Sequence, residues 1–185
     1  MAVMSVYHPD IKDFITCKTH EGDIHNFNIS VGVDSNFMKA VVNHAEYPLV
    51  HPTTDRIVEW VSAAEIFNMI IEGAWTNGEP GLVFIDTINI DNRVKAQYGD
   101  MIATNPCGEQ PLLGNESCNL GSLNLIKFVQ NSDDSIWESK IDWEKLAQIT
   151  KLSVRFLDNV IDANSYATLD IDTMTKATRK IGLGV

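Results

Sequence analysis

Two of the three cysteines lie in one short run, NPCGEQPLLGNESCNLGSLNL, Asn105 to Leu125, each with a carboxylate close by in sequence. The first, Cys107, belongs to Asn105-Pro106-Cys107-Gly108-Glu109. Pro106 restricts one backbone angle, and Gly108 permits a close approach or an unusual dihedral. If this is a tight but extended turn, side chains at i and i+2 share a face, and Asn105, Cys107 and Glu109 point together. An amide, a thiol and a carboxylate would then surround one ligand-sized space. The same pentapeptide also reads as a plain loop with a buried Cys, a capping Asn and a solvated Glu. Conventional cysteine catalysis needs a base such as His to form thiolate. All five histidines precede Pro52, so none is near Cys107 in sequence. A neighbouring carboxylate suits a neutral S–H, the form that hydrogen-atom chemistry requires. There is no CxxC, no HExxH and no paired His spacing, so no metal-ligand set is read.

The elements that must carry these residues are those of an α/β protein. MAVMSV reads as a strand over Ala2 to Val6, followed by a helix opened by Pro9 and Asp10 with Ile11, Phe14 and Ile15 on one side. A polar stretch, THEGDIH, runs into an alternating strand in which Phe27, Ile29 and Val31 share a face. A second helix is predicted from Ala63 to about Ala74, ending before Asn77-Gly78. After the GEPG turn, LVFID is apolar enough for a strand covered on both faces. Asp142 is a plausible N-cap for the longest helix, whose Leu146, Ile149, Ser153, Phe156, Leu157, Val160 and Ile161 recur at spacings of three and four. The polar QNSDDS, Gln130 to Ser135, reads as a surface loop. No interdomain linker or internal repeat is evident, so residues 1–185 are read as one continuous segment.

With 185 residues and 44% hydrophobic content the chain can bury a core. A net charge of −11 with no Lys/Arg run argues against a nucleic-acid groove. No apolar run long enough for a membrane span and no export signal is read, which makes the cytoplasm the expected compartment and free thiols the expected state of the odd number of cysteines. Both ends are apolar, MAVMSV and KIGLGV, as expected of a piece of something larger.

The run NPCGEQPL followed by ESCNLGSLNL closely resembles the catalytic loop of ribonucleotide reductase large chains, specifically the adenosylcobalamin-dependent class. The resemblance continues through HPDI, NFNISV, GEPGLVFID and KIGLGV in the same order. It implies part of a ten-stranded α/β barrel, including the finger loop inside it. By this resemblance Cys107 becomes the thiyl radical that takes the ribose 3′ hydrogen, Glu109 is the general base for the 3′ hydroxyl, and Asn105 binds the ribose hydroxyls. Cys118 resembles one member of the redox thiol pair, whose family partner lies on a strand preceding Met1 in the family's order.

The same resemblance implies a ribonucleotide substrate, a nucleotide effector, a thioredoxin-type reductant, the remaining reductase segments and a homodimer. Adenosylcobalamin is the implied cofactor, bound mainly by parts of the enzyme outside this chain. The Lys18 to Asn26 loop, with Lys18, His20, Glu21 and His25, aligns with the region that reports the effector to the active site; it also reads as a solvated helix-to-strand connection. Cys17 is expected to be a buried, inert thiol, and GEPG a turn without catalytic duty. Gly114-Asn115 replaces a commoner Pro-Tyr before Glu-Ser-Cys, a departure that touches loop packing and leaves Asn105, Cys107 and Glu109 intact. Because the family enzyme is several times longer, the chain by itself is expected to be inactive. The alternative readings are a segment of a metal-radical reductase and a nucleotide-binding module without catalysis.

Overall fold

The computed structural model describes residues 1–19, 24, 26–132 and 135–185, with side chains described outside 131–139. Its contacts divide the chain into two compact units, Met1–Gly114 and Asn115–Val185.

The first unit is built on a three-stranded parallel sheet in which β2 (Ile29–Val33) lies between β1 (Ala2–Ser5) and β5 (Gly81–Phe84). Every residue of β2 is buried, as a central parallel strand covered on both faces requires. Between β1 and β2 runs α1 (Ile11–Thr16). Between β2 and β5 come α2 (Ser35–Val42), the antiparallel pair β3 (Glu46–Val50) and β4 (Ile57–Ser62), and α3 (Ala63–Asn77). The core joins Ile11 and Ile15 of α1, Val31 and Val33 of β2, Phe37 of α2, Tyr47 and Leu49 of β3, and Ile66 and Ile70 of α3.

Local chemistry sets the ends of these helices. Asp34 accepts the Phe37 N–H at 2.8 Å and so starts α2. Ser62 accepts the Glu65 N–H at 3.3 Å, an N-cap bond that starts α3. Gly78, at φ +85°, closes α3 by donating its N–H to the Ala74 carbonyl at 2.9 Å.

Several boundaries differ from those read in the sequence. β1 stops at Ser5, and Phe27 lies outside β2 with 41% of its surface exposed. LVFID splits: the strand ends at Phe84, and Ile85-Asp86 opens α4 (Ile85–Ile90). Asp86 accepts hydrogen bonds from the Ser35 hydroxyl and N–H, which hold its carboxyl below the usual carboxylate range. A strand reading there misses a carboxylate already committed to the start of α2. Cys17 caps α1 and is half-buried, where a buried thiol was expected. After α4 come α5 (Lys95–Tyr98) and a two-stranded antiparallel ribbon, β6 (Ala103–Thr104) with β7 (Pro111–Leu112).

The second unit centres on a parallel pair, β8 (Asn119–Ser122) with β11 (Ile181–Gly184), covered by α6 (Trp143–Ala163). Asp142 caps α6 as its sequence position predicts, accepting the Lys145 N–H at 2.9 Å. Leu157 and Ile161 are its buried positions, and Leu146, Ile149, Ser153 and Val160 are half-buried along the same stripe. Phe156 departs from the expected stripe and is 65% exposed. A 3-10 turn, Leu125–Phe128, leads into the antiparallel pair β9 (Val129–Ser132) and β10 (Ser135–Ile141). QNSDDS is therefore largely ribbon where a loop was expected, and its Asp133 and Asp134 lie outside the described residues. A two-stranded ribbon need not bury its side chains, so polarity alone does not mark a loop there.

Between α6 and β11 sits α7 (Leu169–Thr178), and Arg179 makes the turn into β11 with φ +48°. Its guanidinium donates to Asp158 Oδ1 at 2.8 Å and to the Asp162 carboxylate at 2.9 and 3.0 Å. Those bonds hold both carboxyls below their ordinary range and tie the approach to β11 onto α6.

Candidate active site

The stretch around Cys107 is the tip of the β6–β7 ribbon. Ala103 pairs with Leu112 and Thr104 with Pro111. The ladder then extends by one bond, with the Asn105 N–H donating to the Gln110 carbonyl at 3.1 Å. Above that bond the chain turns sharply, as the Gly108 N–H donates to the Asn105 carbonyl at 3.0 Å. Pro106 therefore occupies the first central position of a β-turn and Cys107 the second. Gly108 follows at φ +87°, a conformation that a residue with a Cβ adopts only with strain.

This corrects the extended geometry read from the sequence. Asn105 sits half-buried at the base of the loop, and its Oδ1 accepts the Gln110 N–H at 2.9 Å across the loop's mouth. That leaves the Nδ2 end of the amide to donate to a ligand. Thr104, buried beneath, donates its hydroxyl to the Asn105 carbonyl at 2.9 Å. Cys107 and Glu109 are both exposed on the tip. The loop thus presents a thiol and a carboxylate on a tip whose base is fastened by backbone and amide bonds. The plain-loop reading with a buried Cys does not fit, because this thiol is exposed.

The ribbon's approach is held by a residue that carried no chemical signal in the sequence. Asn89, at the end of α4, donates to the carbonyls of Ile85 and Met101 at 2.9 Å each. Its Oδ1 accepts the Met101 N–H at 2.9 Å and the Asn92 side chain at 3.1 Å. The amide's full bonding capacity is used, and the chain entering β6 is fixed by it. A single Asn in the last turn of a short helix has no periodicity or spacing that would reveal this duty.

Of the possible effector-loop residues, Lys18 is described, and His20, Glu21 and His25 lie outside the described residues. The Lys18 ammonium lies 2.7 Å from Glu79 Oε2 and donates to the Phe27 carbonyl at 2.7 Å. The Asn77 amide donates to the Lys18 carbonyl at 2.7 Å. Both ends of the loop are thereby joined to each other and to the turn after α3. GEPG is a turn, as expected, and its Glu79 also serves as an anchor that sequence reading missed.

In the second unit, Cys118 immediately precedes β8 and is half-buried. On one side of it, the Ser117 N–H donates to the Thr175 hydroxyl at 3.1 Å, and the Ser117 and Thr175 hydroxyls are bonded to each other at 3.0 Å. On the other, the Asn119 amide donates to the Leu157 carbonyl at 3.2 Å. Glu116 meets the Lys180 ammonium at 2.7 Å. Ser117, Asn119 and Glu116 therefore serve to hold this segment in place.

No helix among the described residues is long and apolar enough to cross a membrane. The sequence matches the family model described as ribonucleotide reductase, barrel domain, over residues 1–185. It is 46% identical to a vitamin B12-dependent ribonucleoside-diphosphate reductase of Mycobacterium tuberculosis, a match covering 100% of this chain and 26% of that protein. A protein of the same name from Thermoplasma acidophilum is 47% identical over 100% of this chain and 23% of its own length. A vitamin B12-dependent ribonucleotide reductase of Streptomyces coelicolor is 33% identical over 100% of this chain and 21% of its own length. The chain thus spans about a quarter of the length of the first two relatives. The mixed α/β architecture and the match along the whole sequence agree, and the chain belongs to the ribonucleotide reductase barrel-domain family.

Proposed function

We propose that residues 1–185 are a single segment of the catalytic barrel of an adenosylcobalamin-dependent ribonucleotide reductase, and that the completed enzyme reduces ribonucleoside diphosphates to deoxyribonucleotides. The observation that carries this reading is the β6–β7 tip, where an exposed Cys107 and Glu109 stand on a loop locked at its base by Asn105. A radical-bearing thiol must meet its substrate at one fixed place, and a braced ribbon supplies that placement.

In the proposed reaction Cys107, as a thiyl radical, takes the hydrogen from the ribose C3′. Glu109 takes the proton of the 3′ hydroxyl, and Asn105 donates to a ribose hydroxyl. The C2′ hydroxyl leaves as water. Cys118 and a thiol outside this chain supply two electrons and two protons, one proton to the departing hydroxyl and one to C2′, and end as a disulfide; Glu109 returns its proton to the 3′ oxygen, and Cys107 returns the hydrogen to C3′. A thioredoxin-type protein then reduces the disulfide.

The adenosyl cofactor, when bound, supplies the radical. Two cavities of the described residues hold about 420 Å³ beside Ser5, Tyr7 and Asp34, and about 400 Å³ beside Leu120 and Leu183. These volumes suit small ligands and are too small for a corrin with its appended groups. A third cavity, about 520 Å³ beside Asp86, Asn89 and Lys95, is likewise too small, and the cofactor's contacts are assigned mainly to parts of the enzyme outside this chain, as the resemblance implies. The Lys18-anchored loop, including His20, Glu21 and His25, is assigned to effector reporting in a homodimer, and the enzyme to the cytoplasm.

The test is Cys118→Ser in the completed enzyme. A single turnover with an external small thiol is expected to survive, while multiple turnovers driven by thioredoxin are expected to stop. Undiminished thioredoxin-driven cycling would make Cys118 structural.

A further inference from the structure

Three features bear on how Cys118 is made to react. The Glu116 side chain is 0% exposed, and a carboxylate so enclosed requires a compensating charge. Lys180, with its side chain 18% exposed, provides that charge at 2.7 Å. The parallel register then places both residues relative to the thiol. Ile181 pairs with Asn119 as the first pair of the register, and Lys180 and Cys118 are the residues that immediately precede it, one before each strand, at the entrance to the β8–β11 pair. Adjacent strands are only about 4.8 Å apart. The segment is also prevented from sliding, because Ser117 is bonded to Thr175 and Asn119 to the Leu157 carbonyl.

We propose that the Glu116–Lys180 pair is a positioning element for Cys118, in which the buried carboxylate holds the lysine ammonium beside the thiol and thereby favours its reactive thiolate. This rests on Cys118 being a redox thiol. Thiol–disulfide exchange proceeds through the thiolate, and a fixed neighbouring cation raises the thiolate fraction. Removing Lys180 would do more than delete a cation, since it would also take away the ammonium that meets the enclosed Glu116 carboxylate at 2.7 Å, two residues from the thiol. Lys180 thus acts through Cys118 and is assigned no contact with substrate.

The experiment is alkylation of the completed, reduced enzyme by iodoacetamide at neutral pH, with each cysteine followed by mass spectrometry of its own peptide. Cleavage after Glu109 separates the peptides of Cys107 and Cys118. K180M is expected to slow alkylation of Cys118 by about three- to ten-fold, whereas K180R restores the rate to within about two-fold of the parent. Cys17 and Cys107 should react as before. The double variant E116Q/K180M removes the buried charge together with its partner, so it leaves no unpaired carboxylate to destabilise the fold. It is expected to be slower at Cys118 than the parent, because the cation is gone, and faster than K180M, because the carboxylate that disfavours thiolate is gone too.

Parental alkylation of Cys118 in the double variant, or a K180R rate as slow as that of K180M, would overturn the proposal. The underlying assignment fails by a different measurement. If Cys118→Ser cycles normally with thioredoxin, the redox role is wrong even where the alkylation contrast stands.

Discussion

Cys107→Ser in the completed enzyme is expected to abolish deoxyribonucleotide formation while leaving ribonucleotide binding nearly unchanged. Serine nearly matches cysteine in size, and the side chain is exposed at the second central position of a turn that the neighbouring backbone closes. Little packing is disturbed, so folding stability should change by no more than about 0.5 kcal/mol. The loss is chemical: an O–H bond is much stronger than an S–H bond, so the radical cannot pass to a serine oxygen at comparable cost. The measurements are equilibrium binding of the ribonucleotide and chromatographic detection of product. Substantial product from the serine variant would remove Cys107 from the radical role.

Glu109→Gln should be the next most damaging change. The amide has the carboxylate's shape but does not accept the 3′-hydroxyl proton, and loss of a general base typically costs about 10²–10⁴-fold in rate. Glu109 is exposed on the tip, and its side chain carries no described hydrogen bond that supports the loop, so the deficit should appear in kcat with the fold retained. Glu109→Asp, which keeps the base on a shorter arm, should fall between the two. A loss below a few-fold in the glutamine variant would make Glu109 a bystander.

How much of this was legible in the sequence depended on how local each determinant is. Pro106 and Gly108 announce a tight turn because their backbone preferences are properties of the residues themselves. The turn's form was not legible, because an Asn can satisfy backbone groups a few residues away. Here Asn105 bonds Gln110, and the extended geometry loses to that bond. The cap at Asp142 was found for the same local reason.

Long-range ties left no trace. Lys18 with Glu79, Asn89 with Met101, and Arg179 with Asp158 and Asp162 join positions with no shared periodicity. Phe156 shows the remaining limit. Helical spacing identifies the side of α6 on which it lies, but spacing does not say whether another element covers that part of the helix, and here it is exposed.

The central claim, that Cys107 takes and returns one particular hydrogen, is tested most directly with a 3′-deuterated ribonucleotide supplied to the completed enzyme with adenosylcobalamin and a dithiol. Competition against the unlabelled substrate reports kcat/KM, and mass spectrometry of the product reports the label at C3′. The account predicts a lower kcat/KM for the deuterated substrate, with deuterium still at C3′ in the deoxyribonucleotide. Equal kcat/KM values, or loss of the deuterium to solvent, would contradict it.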